Sequence, residues 1–243
     1  MSDQCSFLWV SGWSVDSRVW EEQMMRWPER IHKKVDFNGC KSVDEMMLIA
    51  EAALKKLTSP VVIVGWSLGA MTALDLAYRH PDRVHSVFLI GGTGQFIRSN
   101  EFPHGTDERS LRRLKRQVSL NPKGAIEGFD LQMFSPSEVK QGKYESWQSF
   151  RKESSVNQGA LEVGLDYLRQ FTIGKKTRSI RTPAYLLTGI EDAICPYLGA
   201  KQLEASLPQS EFTCWDHAGH LPFWTEADRF FHWMKERVDS GIT

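Results

Sequence analysis

The stretch Val61-Val62-Ile63-Val64-Gly65-Trp66-Ser67-Leu68-Gly69, running into the helix-patterned Ala70 to Tyr78, decides the fold. Its apolar run reads as a buried strand and the residues after Gly69 as a helix, so Ser67 falls on a strand-to-helix turn. Such a turn is passable only where the flanking positions carry almost no side chain, and Gly65 and Gly69 meet that demand. A serine there has its hydroxyl held clear of its own backbone. The helix start behind it offers free N–H groups and a positive dipole end, which favour the negative charge that develops during acyl transfer. The pattern therefore predicts a nucleophile elbow. Read alone, G-x-S-x-G also fits a serine that merely caps a helix. A cap needs no partner elsewhere, whereas a catalytic serine needs a histidine and a carboxylate, so the rest of the chain decides.

Outward from the elbow, short apolar runs alternate with amphipathic ones, which predicts an α/β fold with a mostly parallel sheet and helices on both faces. Strands are expected at Ser6 to Val10, Ile31 to Phe37, Val61 to Val64, Ser86 to Ile90, Pro183 to Thr188 and Glu211 to Trp215. Helices are expected at Val43 to Leu57, Ala70 to Arg79, Ala200 to Ser206 and Ala227 to Val238. Between about Thr93 and Thr177 the strand-helix rhythm stops and helical patterns are broken at Pro103, Pro122, Pro136 and Gly159. The expected division is a core of residues 1–92 and 178–243 with an inserted helical lid at 93–177. Aromatic residues of that insertion, Phe129 and Phe134 among them, either line a channel for an acyl chain or pack the lid onto the body.

In a strand-to-helix elbow of this kind the carboxylate follows the serine in the chain and the histidine comes last. The strand Ala184 to Thr188 runs into Gly189-Ile190-Glu191-Asp192, which puts a carboxylate at the same sheet edge as Ser67. Asp192 is the expected acid and Glu191 its competitor. The last strand is followed by Asp216-His217-Ala218-Gly219-His220-Leu221-Pro222-Phe223. His220, after the small pair Ala218-Gly219 that lets the loop bend toward the serine, is the expected base, and His217 its competitor. Two backbone N–H groups should hold the oxyanion, one from Leu68 and one from Trp13 in the loop Ser11-Gly12-Trp13-Ser14.

Composition narrows the rest. The 243 residues hold 30 Lys and Arg against 30 Asp and Glu, so the whole-molecule field gives no reason to expect nucleic acid or an anionic membrane as partner. Cys5, Cys40, Cys195 and Cys214 are scattered, with no metal-ligand spacing. No cofactor or metal is expected, and reduced thiols suggest the cytoplasm. Met1 to Cys5 has no basic region followed by an apolar stretch, and no segment approaches a membrane-spanning length. A monomer is expected.

With these residues placed, the chain resembles the α/β-hydrolase superfamily throughout. More narrowly it resembles the pimeloyl-[acyl-carrier protein] methyl ester esterases of biotin biosynthesis, the BioH type. The likeness covers Gly65-Trp66-Ser67-Leu68-Gly69, Gly12-Trp13, His80-Pro81-Asp82-Arg83-Val84, Leu161-Glu162-Val163-Gly164-Leu165, Asp192 and Ala218 to Phe223. Two positions depart from it. Ser11 stands where a histidine usually precedes the loop glycine, and Asp36-Phe37-Asn38-Gly39 replaces an Asp-x-Pro-Gly-x-Gly loop.

The resemblance implies hydrolysis of the methyl ester on a pimeloyl chain held by acyl-carrier protein. Such a carrier is acidic, so its docking surface should be basic, and Arg109, Arg112, Arg113 and Arg116 fall toward one helical face, with Arg151 further on. A solvated helix face fits the same spacing. Other functions compatible with the same residues are a general short-chain carboxylesterase, an acyl thioesterase and a catalytically silent hydrolase-fold binding protein. A lyase of menaquinone synthesis also shares the triad, but relatives of that kind usually carry an arginine where this chain has Met71.

Overall fold

The structure, a computed structural model, describes residues 5–58, 60–152 and 157–240; Met1 to Gln4, read above for a leader, lie outside them. Among the described residues six strands form one sheet: β1 (Ser6–Val10), β2 (His32–Val35), β3 (Val61–Trp66), β4 (Val84–Ile90), β5 (Ala184–Gly189) and β6 (Ser210–Trp215). Their order is β2-β1-β3-β4-β5-β6 and every adjacent pair is parallel. The helices are α1 (Glu21–Met25), α2 (Val43–Lys55), α3 (Leu68–Arg79), α4 (Glu108–Leu120), α5 (Pro122–Gln132), α6 (Pro136–Lys140), α7 (Lys143–Arg151), α8 (Gln158–Gln170), α9 (Tyr197–Glu204), α10 (Pro222–Thr225) and α11 (Ala227–Ser240).

The central strands are apolar on both sides because helices cover both faces. Every residue of β1 and β3 is buried. Phe7 and Trp9, two apart on β1, share one face and pack on Trp27 and Trp20, while Phe88 of β4 meets Trp233 of α11. The opposite face carries α3, ten of whose twelve residues are buried over β1, β3 and β4. Each large apolar side chain so buried is worth about 1.5–3 kcal/mol, which is why this helix keeps its place although Ser67 at its head is strained.

The chain leaves β1 toward β2 at one side and leaves β3 toward β4 at the other. The point where these directions diverge lies between the carboxyl ends of β1 and β3, the crevice in which open parallel sheets bind ligands. Two loops meet there: residues 11–16 after β1, and Ser67 after β3. Helix α3 begins at Leu68, two residues before the expected start, because Ser67 O accepts from Ala70 N and Met71 N at 2.9 and 3.2 Å. The short turn and helix at 17–25 were not evident from the apolar pattern. Residues 93–177 contain five helices, α4 to α8, and no strand of the sheet among the described residues.

Candidate active site

Ser67 has φ 56° and ψ −117°, a left-handed conformation that L residues rarely adopt and that costs on the order of 1–3 kcal/mol. Its backbone is held there from both sides: Ser67 N donates to Ile90 O at 2.8 Å, and its carbonyl starts α3. The two glycines of the motif are required by approach distances. A Cβ on Gly65 would lie 2.3 Å from Gly69 O, and one on Gly69 would lie 2.1 Å from Val10 O.

Asp192 and His220, 28 residues apart, meet between the carboxyl ends of β5 and β6. His220 Nδ1 is 2.7 Å from Asp192 Oδ2, and both side chains are wholly buried. Asp192 Oδ1 accepts from the N–H groups of Ile194 and Cys195, each at 2.8 Å. With its oxygens engaged as acceptors, the carboxylate accepts a hydrogen bond from His220 Nδ1–H, which assigns the imidazole tautomer from the hydrogen-bond network and leaves a lone pair on Nε2. That Nε2 is buried with no hydrogen-bond partner among the described residues. Burial, and after it the charge of Asp192, pushes the neighbouring Cys195 thiol well up, so it stays a protonated packing group.

The elbow reaches the histidine through Trp66. Its indole Nε1 donates to His220 O at 2.8 Å, and the two rings lie 5.5 Å apart. Gly91 lies on the other side with φ 53°, and a Cβ there would stand 2.8 Å from His220 Nδ1. Asp192 and His220 are thus brought together by β5 and the loop after β6, and Trp66, the residue before Ser67, is tied to that loop. Glu191 and His217 are not part of that pair.

Trp13 and Leu68 line a single cavity of about 50 Å³, together with Phe37, Asn38 and residues of α8. Leu68 opens α3, so its N–H is one of the four at a helix start with no carbonyl one turn back. The loop carrying Trp13 is pinned tightly: a Cβ on Gly12 would meet the Trp66 ring at 2.9 Å, Trp13 Nε1 donates to Leu161 O at 2.9 Å, and Ser14 has φ 64°. Ser11, in place of the usual histidine, donates from Oγ to Asp16 O at 3.4 Å. The 36–39 loop is closed by Asn38 N donating to Asp36 Oδ1 at 2.8 Å, and Asn38 Oδ1 accepts from Asn157 N.

Two expectations change or divide. Arg151 is not a surface cation for a partner: its side chain is 10% exposed and forms an ion pair with Asp130 at 2.7 Å. It also donates to Ser14 O and to Ser14 Oγ, so burial between the helices of residues 93–177 and the loop after β1 occupies its donors. Phe134, 7% exposed, is packed against Tyr144 and Trp147 and so helps fasten the helices, while Phe129 meets Trp13 edge-on with centroids 4.9 Å apart. Arg109, Arg112, Arg113 and Arg116 do lie exposed on α4, Arg112 paired with Glu108. Met71 is fully buried in α3. Among the described residues no three His, Cys, Asp or Glu side chains gather as a metal site. Sequence reasoning missed the Trp66 link, the Arg151 bridge and the role of Gly91, since each depends on contacts across the fold.

Residues 38–227 match the alpha/beta hydrolase fold family. The chain belongs to that family. Similar curated proteins include the pimeloyl-[acyl-carrier protein] methyl ester esterase of Nitrosomonas europaea, 25% identical over 230 residues that cover 91% of this chain and 90% of that one. The enzyme of the same name from Vibrio atlanticus is 27% identical over 232 residues, covering 91% and 89%. Among solved structures, a bromoperoxidase from Bacillus anthracis superposes with TM-score 0.87 at 17% identity, covering 98% of this chain and 93% of that one, a likeness of fold alone.

Proposed function

We propose that this α/β-hydrolase is a serine carboxylesterase that removes the methyl group from a pimeloyl chain carried by acyl-carrier protein, a step of biotin biosynthesis. The observation that carries the chemistry is the buried His220–Asp192 pair, whose Nε2 has no hydrogen-bond partner among the described residues and whose loop is bonded to Trp66, the residue before the strained Ser67. The names of the relatives supply the substrate.

His220 Nε2 takes the proton of Ser67 Oγ as that oxygen attacks the ester carbonyl. The N–H groups of Leu68 and Trp13 receive the oxyanion, and Asp192 stabilises the imidazolium. Nε2 then protonates the departing methoxide, so methanol leaves and a pimeloyl ester remains on Ser67. Water, deprotonated by the same nitrogen, attacks that ester, and the carboxylic acid is released with Ser67 restored.

The 93–177 segment is the proposed lid. The cavity beside Trp13, about 50 Å³, holds a few waters, and the proposal has α8 or its neighbours shift from Trp13 to seat a pimeloyl chain there. Arg109, Arg112, Arg113 and Arg116 are the proposed seat of the acidic carrier, and Phe129 the proposed contact of the acyl chain. No helix among the described residues is long and apolar enough to cross a membrane. The four free cysteines support a cytoplasmic setting.

The test compares a carrier-linked pimeloyl methyl ester with free monomethyl pimelate, at low and high salt. The proposal expects higher kcat/KM on the carrier, with the advantage shrinking as salt rises and when Arg109, Arg113 and Arg116 are changed to Glu. Equal rates on both substrates at every salt concentration would reduce the protein to a general esterase. The same carrier offered as a thioester separates the thioesterase reading.

A further inference from the structure

The lid carries a buried carboxylate that the chemistry above does not use. Glu138, in α6, is 3% exposed, and among the described residues no cation is paired with it. Its Oε2 accepts from Ser135 N at 2.7 Å and from Gly219 N at 3.0 Å, and its Oε1 accepts from Thr225 Oγ1 at 2.6 Å. Ser135 and Glu138 form a capping box, which explains why a glutamate sits at this position of a short helix. The box explains only one of these three bonds. Gly219 precedes His220, and Thr225 ends α10 just after it.

Two more bonds run between the same segments: His220 N donates to Met133 O at 2.7 Å, and Ser135 Oγ donates to His217 O at 2.7 Å. The fit leaves no slack, since a Cβ on Gly219 would lie 2.5 Å from Met133 O and 2.8 Å from Glu138 Oε2. The loop 216–221 has no regular structure of its own to fix the imidazole. Trp66 and Asp192 hold it from the core side, and the 133–138 segment holds it from the lid side.

We propose that Glu138 is a positioning residue that sets His220 against Ser67, making α6 the fixed edge of the helical insertion. The proposal rests on the assignment of Ser67 and His220 as nucleophile and base. Loss of the carboxylate leaves the Gly219 and Ser135 N–H groups buried without acceptors, and the loop must move to solvate them. A shift of about 1 Å in a catalytic group costs on the order of 10- to 100-fold in rate.

Glu138→Gln can keep the bonds. Its amide oxygen takes the place of Oε2, and its NH2 faces Thr225 Oγ1, which turns its hydrogen to Leu221 O, 3.2 Å away. The experiment measures p-nitrophenyl butyrate hydrolysis by wild type, Glu138→Ala, Glu138→Gln and Thr225→Val, each normalised to the sites titrated by a fluorophosphonate so that unfolded protein is not counted, and by Ser67→Ala normalised to protein concentration. For Glu138→Ala the expected result is kcat per titrated site down by roughly 10- to 100-fold with KM little changed, and slower phosphonylation of Ser67. Glu138→Gln should recover most of that loss. Thr225→Val, the milder change if Glu138→Ala does not fold, should fall between them. Wild-type kcat per site in both Glu138→Ala and Thr225→Val, or a Gln variant as impaired as Ala, overturns the proposal. Turnover by Ser67→Ala would instead sink the underlying assignment.

Discussion

His217 Nδ1 lies 3.4 Å from Glu191 Oε1, on the outer side of the two loops whose inner side holds Asp192 and His220. The residues that compete for the catalytic positions in the sequence are therefore paired with each other. His217 is 78% exposed on its side chain, whereas His220 and Asp192 are sealed. The backbone adds to the separation, because His217 has φ 61° and Glu191 N donates to Ala218 O at 3.0 Å.

An exposed pair of this kind contributes less than about 1 kcal/mol. His217→Ala and Glu191→Gln should each leave kcat/KM on a p-nitrophenyl ester within about twofold of wild type, whereas His220→Ala or Asp192→Asn should lower kcat by about 10,000-fold. Steady-state kinetics on the four variants checks this. A severe defect in His217→Ala with a mild one in His220→Ala would exchange the assignment.

The strain at Ser67 makes a separate prediction. Glycine adopts φ 56° at no steric cost, so Ser67→Gly should raise stability by about 1 kcal/mol or more while abolishing turnover. Ser67→Ala retains the Cβ and should gain little. Urea unfolding of both variants measures the difference. Equal stabilities would mean that the turn is not strained.

Arg151 and Asp130 give a pH dependence. Burial, the largest influence, raises the Asp130 carboxyl above its ordinary range, and Arg151 opposes that rise. A carboxyl raised in the folded state favours folding below its unfolded pKa and loses that contribution as pH climbs through the folded value. Arg151→Met removes the opposing charge and lifts the carboxyl further. The variant should lose about 3–5 kcal/mol near neutral pH, with a smaller deficit against wild type at about pH 5 than at about pH 8. Thermal melts across that range would show it. Arg151→Met,Asp130→Leu should recover part of the loss, since a buried pair is costlier broken than replaced.

Much of the fold was legible because parallel strands buried on both faces read as unbroken apolar runs. β1 falls where the apolar pattern put it, and β3 runs on through Gly65 and Trp66 because the elbow begins only at Ser67. The pairing of Asp192 with His220 was legible from chain order and from the small residues that let the loop bend. Arg151 was not, since beside Lys152 in a polar helix it looks like a solvated cation. Its burial depends on Asp130, 21 residues away, and Ser14, 137 away. Glu138 was half legible: Ser135-x-x-Glu138 announces a helix cap, but nothing local announces the Gly219 and Thr225 donors on its far side.

The most direct measurement of the central claim is the mass of pimeloyl-acyl-carrier protein methyl ester after incubation with wild type and with Ser67→Ala, alongside assay of free methanol. The account predicts a carrier lighter by one methylene unit and an equivalent of methanol with wild type, and a rate at least about 1,000-fold lower with Ser67→Ala. An ester left intact by wild type, or cleaved comparably by Ser67→Ala, would contradict it.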